Sequence, residues 1–387
     1  MKFKQVKIED VADVTKLAGF EFTKYIKYNE TGEIIALRAI NIRNNTLDLT
    51  DIKRIDKSVS ESLIRSKLYK DDIILTYTGN GAGAAAIIDE NDKYHLAPNI
   101  CKITPKEINP YYLYKYITSN KFQKEISNNI GGSGQPTIPM KTIRVLPISV
   151  PSRCNQTKIA KILKNIDDKI KLNNEINNNL HELMKIKFNN CIDNLEEYEE
   201  SVLSKIANYK NGLAMQKFRP IDESGLPVIK IKEMNSGITS ETERCRSDID
   251  SDVIIDNGDI LFAWSGTLCM SIWCGGRAGL NQHIFKVTSD KYPKWFYYFW
   301  TSKHLDNFIE IAAGKATTMG HIKRTELDKA IVKIPNEKIM EKMDKIFTPM
   351  FNEYVNNSIE SKNLSELRDT LLPKLMNGGI DLDNIEI

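Results

Sequence analysis

The sequence predicts an α+β fold made by duplication: two mixed α/β domains joined by two long helices that form an antiparallel coiled coil. Three observations carry this. From Pro151 to Cys191, apolar residues recur at Ile159, Ile162, Leu163, Ile166, Ile170, Ile176, Leu180, Leu183, Met184 and Cys191. That is the three-then-four spacing of one helix face, held over about four heptads. A shift of 184 positions carries Pro151 onto Pro335, Ile159 onto Met343, Ile162 onto Ile346, Ile166 onto Met350, Leu180 onto Leu364 and Leu183 onto Leu367. The run Asp-Ile-Ile-Leu-Thr-Tyr-Thr-Gly at 72–79 is answered by Asp-Ile-Leu-Phe-Ala-Trp-Ser-Gly at 259–266. A repeat of this length makes the internal duplication the first fact about the fold.

The elements follow in order. In the first half, residues 34–42, 72–79 and 99–104 read as strands. Asn109-Pro110 opens a helix over 111–128, with a capping side chain followed by proline at the first helical position. Gly131-Gly132-Ser133-Gly134 stops it. Pro151 cannot continue the strand-like run 145–150 and precedes a helix start near Ser152. The other faces of that helix are rich in Lys and Asn, so its apolar stripe needs a partner, and the repeat supplies one. The predicted seam comprises Ile159, Ile162, Ile166, Asn173, Leu180 and Leu183 against Met343, Ile346, Met350, Asn357, Leu364 and Leu367. Asn173 falls on Asn357, read as a facing pair that penalises slipped register. In the second half, 228–232 and 280–288 read as strands, and Pro293 and Gly314 answer Pro110 and Gly131. Pro349 should kink the second helix or interrupt one turn. The expected domains are 1–150, a central helix 151–192, 196–334, and a C-terminal helix and tail 335–387.

Hydrophobic residues make up 41% of the 387 and charged residues 27%, an ordinary balance for a globular protein. No run approaches the roughly 18 apolar residues of a membrane span, and the start lacks the apolar core of a secretory signal. A cytoplasmic location with no membrane partner is the expectation. The six cysteines form no Cys-x-x-Cys, so buried free thiols are expected, without zinc or redox pairs. A net charge of +3 requires any nucleic-acid site to be a local patch.

Several fragments suggest chemistry, and each fails on context. Asn109-Pro110-Tyr111-Tyr112 resembles an amino-methyltransferase motif but lacks its second proline, and the repeat has Tyr292-Pro293-Lys294-Trp295. Gly79-Asn80-Gly81-Ala82-Gly83 follows a strand, yet the repeat keeps only the first glycine, so a strand turn is the reading. Glu360-x-Lys362 lies on the amphipathic helix as charged surface. The five histidines form no i, i+4 pair for a metal. No catalytic constellation emerges, and no catalytic or metal-ligating residue is assigned.

What remains is a set of polar and basic residues in matching places of both halves, suited to base edges and phosphates. The first half offers Arg38, Asn41, Arg43, Asn44, Thr78, Asn80, Gln135, Thr137 and Lys141. The second offers Lys230, Lys232, Arg244, Arg246, Ser265, Thr267, His283, Lys315, Thr317, His321, Lys323 and Arg324.

The sequence resembles the specificity (S) subunits of type I restriction–modification systems over nearly its whole length. The most specific stretches are Gln156-Thr157-Lys158-Ile159-Ala160-Lys161-Ile162-Leu163 with Asp167-Asp168-Lys169-Ile170, and Leu371-Leu372-Pro373-Lys374-Leu375-Met376-Asn377-Gly378. Gly134-Gln135-Pro136-Thr137-Ile138 resembles the segment that closes the first target-recognition domain, whereas the second copy has Gly314-Lys315-Ala316-Thr317-Thr318. The resemblance implies two target-recognition domains, each binding one half of a bipartite double-stranded DNA site. The helices would set the gap: about 40 residues span about 60 Å, enough to hold two readers one DNA turn, about 34 Å, apart. It further implies a non-catalytic subunit that docks two methylation (M) subunits and recruits restriction (R) subunits. S-adenosylmethionine, ATP and magnesium would belong to those partners, and none to this chain. A duplicated coiled-coil adaptor that binds proteins rather than DNA is the competing expectation, separable by the salt dependence of DNA binding.

Overall fold

The computed structural model describes residues 2–131, 134–220, 225–314 and 320–382. Its contacts gather into two compact units, Met1–Asp168 with Ser365–Ile387, and Lys169–Leu364. The divisions fall inside the two long helices, Arg153–Asp193 and Glu337–Asn377, each of 41 residues. Each unit therefore owns one globular half and a stretch of both helices.

In the first unit an antiparallel sheet takes the order Ala12–Lys16, Ile100–Pro105, Ile73–Thr76, Ala85–Ile87. Beside it, Ile34–Leu37 pairs parallel with Tyr94–Leu96 and antiparallel with Lys53–Ile55. The second unit repeats this plan: Asn208–Asn211, Ile284–Thr288, Asp259–Ala263, Cys269–Trp273 form its antiparallel sheet. Leu226–Ile229 runs parallel with Ala278–Leu280. The uninterrupted apolar run Ile73-Ile74-Leu75 is explained by burial on both faces. Ile73 and Leu75 enter one core and Ile74 the other, as alternation across a strand requires. Ile260 and Phe262 against Leu261 and Ala263 do the same in the second unit.

Some expected elements are broken up. The helix read over 111–128 is two, Pro110–Ile117 and Asn120–Asn128. Ser119 separates them by donating to the Tyr116 carbonyl at 2.6 Å and accepting from the Phe122 amide at 3.4 Å, a cap the hydrophobic pattern does not reveal. Asn109 caps the first of them as read. The strand read over 34–42 ends at Leu37 and turns through a 3₁₀ segment at Ala39–Asn41. That over 228–232 ends at Ile229, so Lys232 sits on a short helix, Ile231–Ser236. The second long helix stays helical through Pro349, which is exposed. Its missing N–H frees the carbonyl of Lys345, and that residue is exposed as well.

In each unit the helix segments run antiparallel. In the first, Ile159, Ala160 and Leu163 share the core with Leu375, Met376 and Leu382. Lys158 donates to the Leu382 carbonyl at 2.7 Å, and Asp167 meets Arg368 at 3.1 Å. In the second, Met184, Phe188 and Ile192 pack with Met343, Phe347 and Phe351. Phe188 stacks on Phe299 with ring centroids 5.4 Å apart, and Trp295 on Phe347 at 4.6 Å. These i, i+4, i+8 lines take the buried face, which turns Leu183, Ile346 and Leu367 outward, 45–47% exposed, against the predicted seam. Ile162, Ile166, Leu180, Met350 and Leu364 stay half-buried at its margins. Asn173 and Asn357 are buried but do not face each other. Asn173 donates to Glu360 at 2.7 Å, and Asn357 donates to Asn177 at 3.2 Å. In an antiparallel pair, positions 184 apart meet only near Glu175 and Ile359, so Asn173 and Asn357 are staggered about that point.

Candidate nucleic-acid interface

The strand Ile73–Thr76 ends in a turn that the chain later closes over. The Tyr77 amide donates to the Asn99 carbonyl at 3.0 Å, Ile138 donates to Tyr77 at 2.8 Å, and Gly79 donates to Pro136 at 2.8 Å. Gly79 stands at φ +103°, a conformation open to glycine and strained for other residues. This brings Thr78 and Thr137 together, their hydroxyls 3.5 Å apart, with the Gln135 amide near Gly79. Asn80 is exposed on the same turn, and Lys141 is exposed on the short helix Met140–Val145 that follows.

The second unit builds the same frame with other side chains. Trp264 donates its amide to the His283 carbonyl at 3.3 Å, Ile322 donates to Trp264 at 3.2 Å, and Gly266 donates to Gly320 at 2.8 Å. Ser265 bridges to His321 as Thr78 does to Thr137. Thr267 takes the place of Asn80, and His283 that of Asn99. Lys323 is exposed beside them, while Arg324 lies over Phe285 and donates to the Tyr209 carbonyl, which anchors the loop. Lys315 and Thr317 lie outside the described residues.

Two further loop groups hold the other candidates. Asn44 and Asn45, both at positive φ, form the tip of the hairpin between Ile42–Arg43 and Thr46–Leu47, the two-residue turn that asparagine favours. Arg43 projects from it, 61% exposed. Asn41 is corrected: it is 1% exposed, and its side chain is spent on the Arg38 amide and the Asp48 and Asp51 carbonyls. It shapes the loop and presents nothing to a ligand. Arg38 reaches the Asp51 carbonyl at 2.8 Å. In the second unit, Lys230 and Lys232 stand near the strand Arg244–Cys245, whose Arg244 donates to Gly225 at 2.7 Å, and Arg246 follows. Cys101 and Cys245 are buried as expected, but Cys154 is exposed at the first turn of its helix.

Sequence reasoning passed over the aromatic residue at the head of each turn. Trp264 stacks on Phe285 at 5.6 Å, lies 6.1 Å from His283 and 6.4 Å from His321, and donates to Asn211 at 2.9 Å. Tyr77 takes its place in the first unit, with the Lys16 ammonium 5.0 Å above its ring. The signal was present, since both occupy the sixth position of the repeated eight-residue run. Among the described residues, no group of three or more His, Cys, Asp or Glu is placed to hold a metal, and no helix is long and apolar enough to cross a membrane.

Two like frames, each presenting a different polar loop set, define a duplicated recognition protein. The family described as the type I restriction modification DNA specificity domain matches residues 1–182 and again 195–366, and the chain belongs to that family. It is 24% identical over 313 residues to the MjaIX specificity subunit of Methanocaldococcus jannaschii, covering 71% of this chain and 69% of the relative. It is 20% identical to the HindI specificity subunit of Haemophilus influenzae, covering 91% and 95%. In fold it is similar to the crystal structure of the type I S subunit from M. genitalium, at a TM-score of 0.65 and 14% identity over 97% of this chain and 96% of that one.

Proposed function

We propose that each unit reads one half of a bipartite double-stranded DNA site, and that the two sets of loops make those halves different. The observation that carries this reading is the duplicated frame itself: backbone pairings at Thr78–Thr137 and Ser265–His321 are kept while the side chains around them diverge. Base edges are read by such short polar groups, whereas Lys and Arg on phosphates fix position. The long helices set the gap between the halves and dock two methylation subunits, which in turn recruit restriction subunits. The chain does no chemistry itself: the methylation subunits bring S-adenosylmethionine, and ATP and magnesium serve the restriction subunits. Leu172, Leu183 and Ile186, exposed on the first long helix, are the apolar surface available to such a partner.

The test is to map methylated adenine in the source cell's DNA with and without this gene. Loss of one split motif on deletion is the expected result and yields both half-sites and the gap. An unchanged pattern together with salt-independent binding to duplex DNA would favour a protein-binding adaptor instead.

A further inference from the structure

Five cations on the candidate reading loops already sit in ion pairs. Arg38 Nη2 lies 2.9 Å from the Asp51 carboxylate, and Arg43 Nε lies 3.1 Å from that of Asp48. In the second unit Lys230 is 2.6 Å from Glu243, Lys232 is 3.6 Å from Glu241, and Arg246 is 2.5 Å from Asp248. Asp48 is also fixed in place, accepting from the Thr50 amide at 3.0 Å and its hydroxyl at 2.6 Å. The Thr50 hydroxyl and amide, with the Arg43 charge adding, hold its carboxyl below the usual carboxylate range. Asp248 is held low in the same sense by its hydrogen bonds from Arg246.

Both partners are exposed in the second unit's pairs and one partner is in each of the first unit's; such pairs contribute little to folding, so stability does not account for their recurrence in both units. Their effect on a polyanion is larger. A free cation that meets a phosphate releases counterions whatever the base sequence. A cation held by a carboxylate offers no net charge, and a phosphate that approaches it must also approach the acid. We infer that Asp48, Asp51, Glu241, Glu243 and Asp248 are specificity-determining residues that prevent the loops from binding duplex DNA through phosphates alone. Exchange of a carboxylate for a phosphate then becomes favourable only where base contacts add to it. This rests on the DNA-reading function proposed above.

The experiment measures binding of the full chain to a random-sequence duplex over a series of salt concentrations. It compares Asp48→Asn and Glu243→Gln with the charge-retaining Asp48→Glu, and checks each variant's fold by thermal melting. Glu243 has an exposed side chain, so its variant tests the idea independently of the more enclosed Asp48. The neutral variants should bind random duplex more tightly, with a log–log salt slope steeper by about 0.9 for each freed cation. Their advantage over wild type should therefore grow about threefold from 200 mM down to 50 mM salt, while Asp48→Glu stays near wild type. Neutral variants indistinguishable from wild type would overturn the proposal. So would weaker binding, which would make the acids base contacts in their own right. If neither wild type nor any variant bound duplex at any salt, the carboxylates would not be what limits phosphate binding and this proposal would fall, while the methylation map decides the DNA-reading function separately.

Discussion

Asn177 shows how much one buried amide holds. It donates to the Tyr354 carbonyl at 3.0 Å and to the Ser358 hydroxyl at 2.9 Å, and it accepts from Asn357 at 3.2 Å. Asn177→Ala leaves the Asn357 donor without this acceptor in a buried seam, at a cost of about 1–3 kcal/mol, measurable by thermal melting. Replacing both asparagines by leucine should recover most of that loss, because paired apolar groups of like shape avoid the desolvation. The sequence marked Asn173 and Asn357 as a facing pair on the seam; both are buried between the helix segments, but each meets a different residue. It could not name their partners, since a repeat shift equates positions without saying which lie opposite. Two further polar pairs were hidden altogether: the buried Lys102 donates to the Lys67 carbonyl at 2.8 Å and lies 3.8 Å from Asp72, and the half-buried Lys286 reaches the Ile254 carbonyl at 2.7 Å and Asp259 at 3.1 Å. Asp72 and Asp259 were legible only as matching letters, because pairing with a lysine some 30 residues away is a property of the folded sheet.

At the scale of elements, the first unit joins its helix segments to Pro110–Ile117 through charge. Asp167 is 2.5 Å from Lys115 and 3.1 Å from Arg368, and it accepts from the Tyr111 hydroxyl. Burial alone would raise the Asp167 carboxyl, but Lys115 and these hydrogen bonds outweigh it and hold it below the usual value. A carboxyl depressed in the fold stabilises above its unfolded value, about 3.9, and that contribution is lost as pH falls through the lower folded one. Asp167→Asn should therefore melt lower at neutral pH, by about 3 kcal/mol for an uncompensated Lys115. It should also show a shallower loss of stability from pH 4 downward. The second unit places Phe351 at the matching position, within an aromatic core. There Phe188→Ala should cost about 3–5 kcal/mol, as for other buried aromatic deletions. Helix existence and period were readable because the stripe repeats for many turns. Which side of a broad stripe wins was not: Leu183 and Ile346 lost to the adjacent Met184 and Phe347 and their i+4 partners Phe188 and Phe351, and Leu367 is left outside the first core that Leu375 and Met376 join.

For the whole molecule, the proposed division of labour makes two expectations. Arg43→Ala or Arg244→Ala should change recognition at one half of the methylated motif and leave the other intact, as read by methylation mapping. Removing one heptad from each long helix shortens it by about 10 Å, which should reduce the gap by up to about three base pairs at 3.4 Å each while keeping the bases at either end. The duplicated plan was legible from the sequence because both copies keep their apolar alternation and their turn glycines. The loop chemistry was legible only as residue types. The acids that neutralise those loops, and the retirement of Asn41 into the interior, depend on how each loop folds back on itself, from Arg246–Asp248 two residues apart to Arg38–Asp51 thirteen apart, and no regular spacing encodes that.

The closure of the first core by Leu375, Met376 and Leu382 has a consequence for synthesis. A ribosome makes the chain from its amino end, so the sheets of the first unit emerge long before the residues that complete their packing. The second unit, Lys169–Leu364, is contiguous and has everything it needs earlier. The half made first is thus finished last, and a chain that stops short of its final helix turns leaves apolar surface on Ile159 and Leu163 uncovered. Vectorial folding here runs against gene order, because the first unit closes only once residues 375–382 have been made.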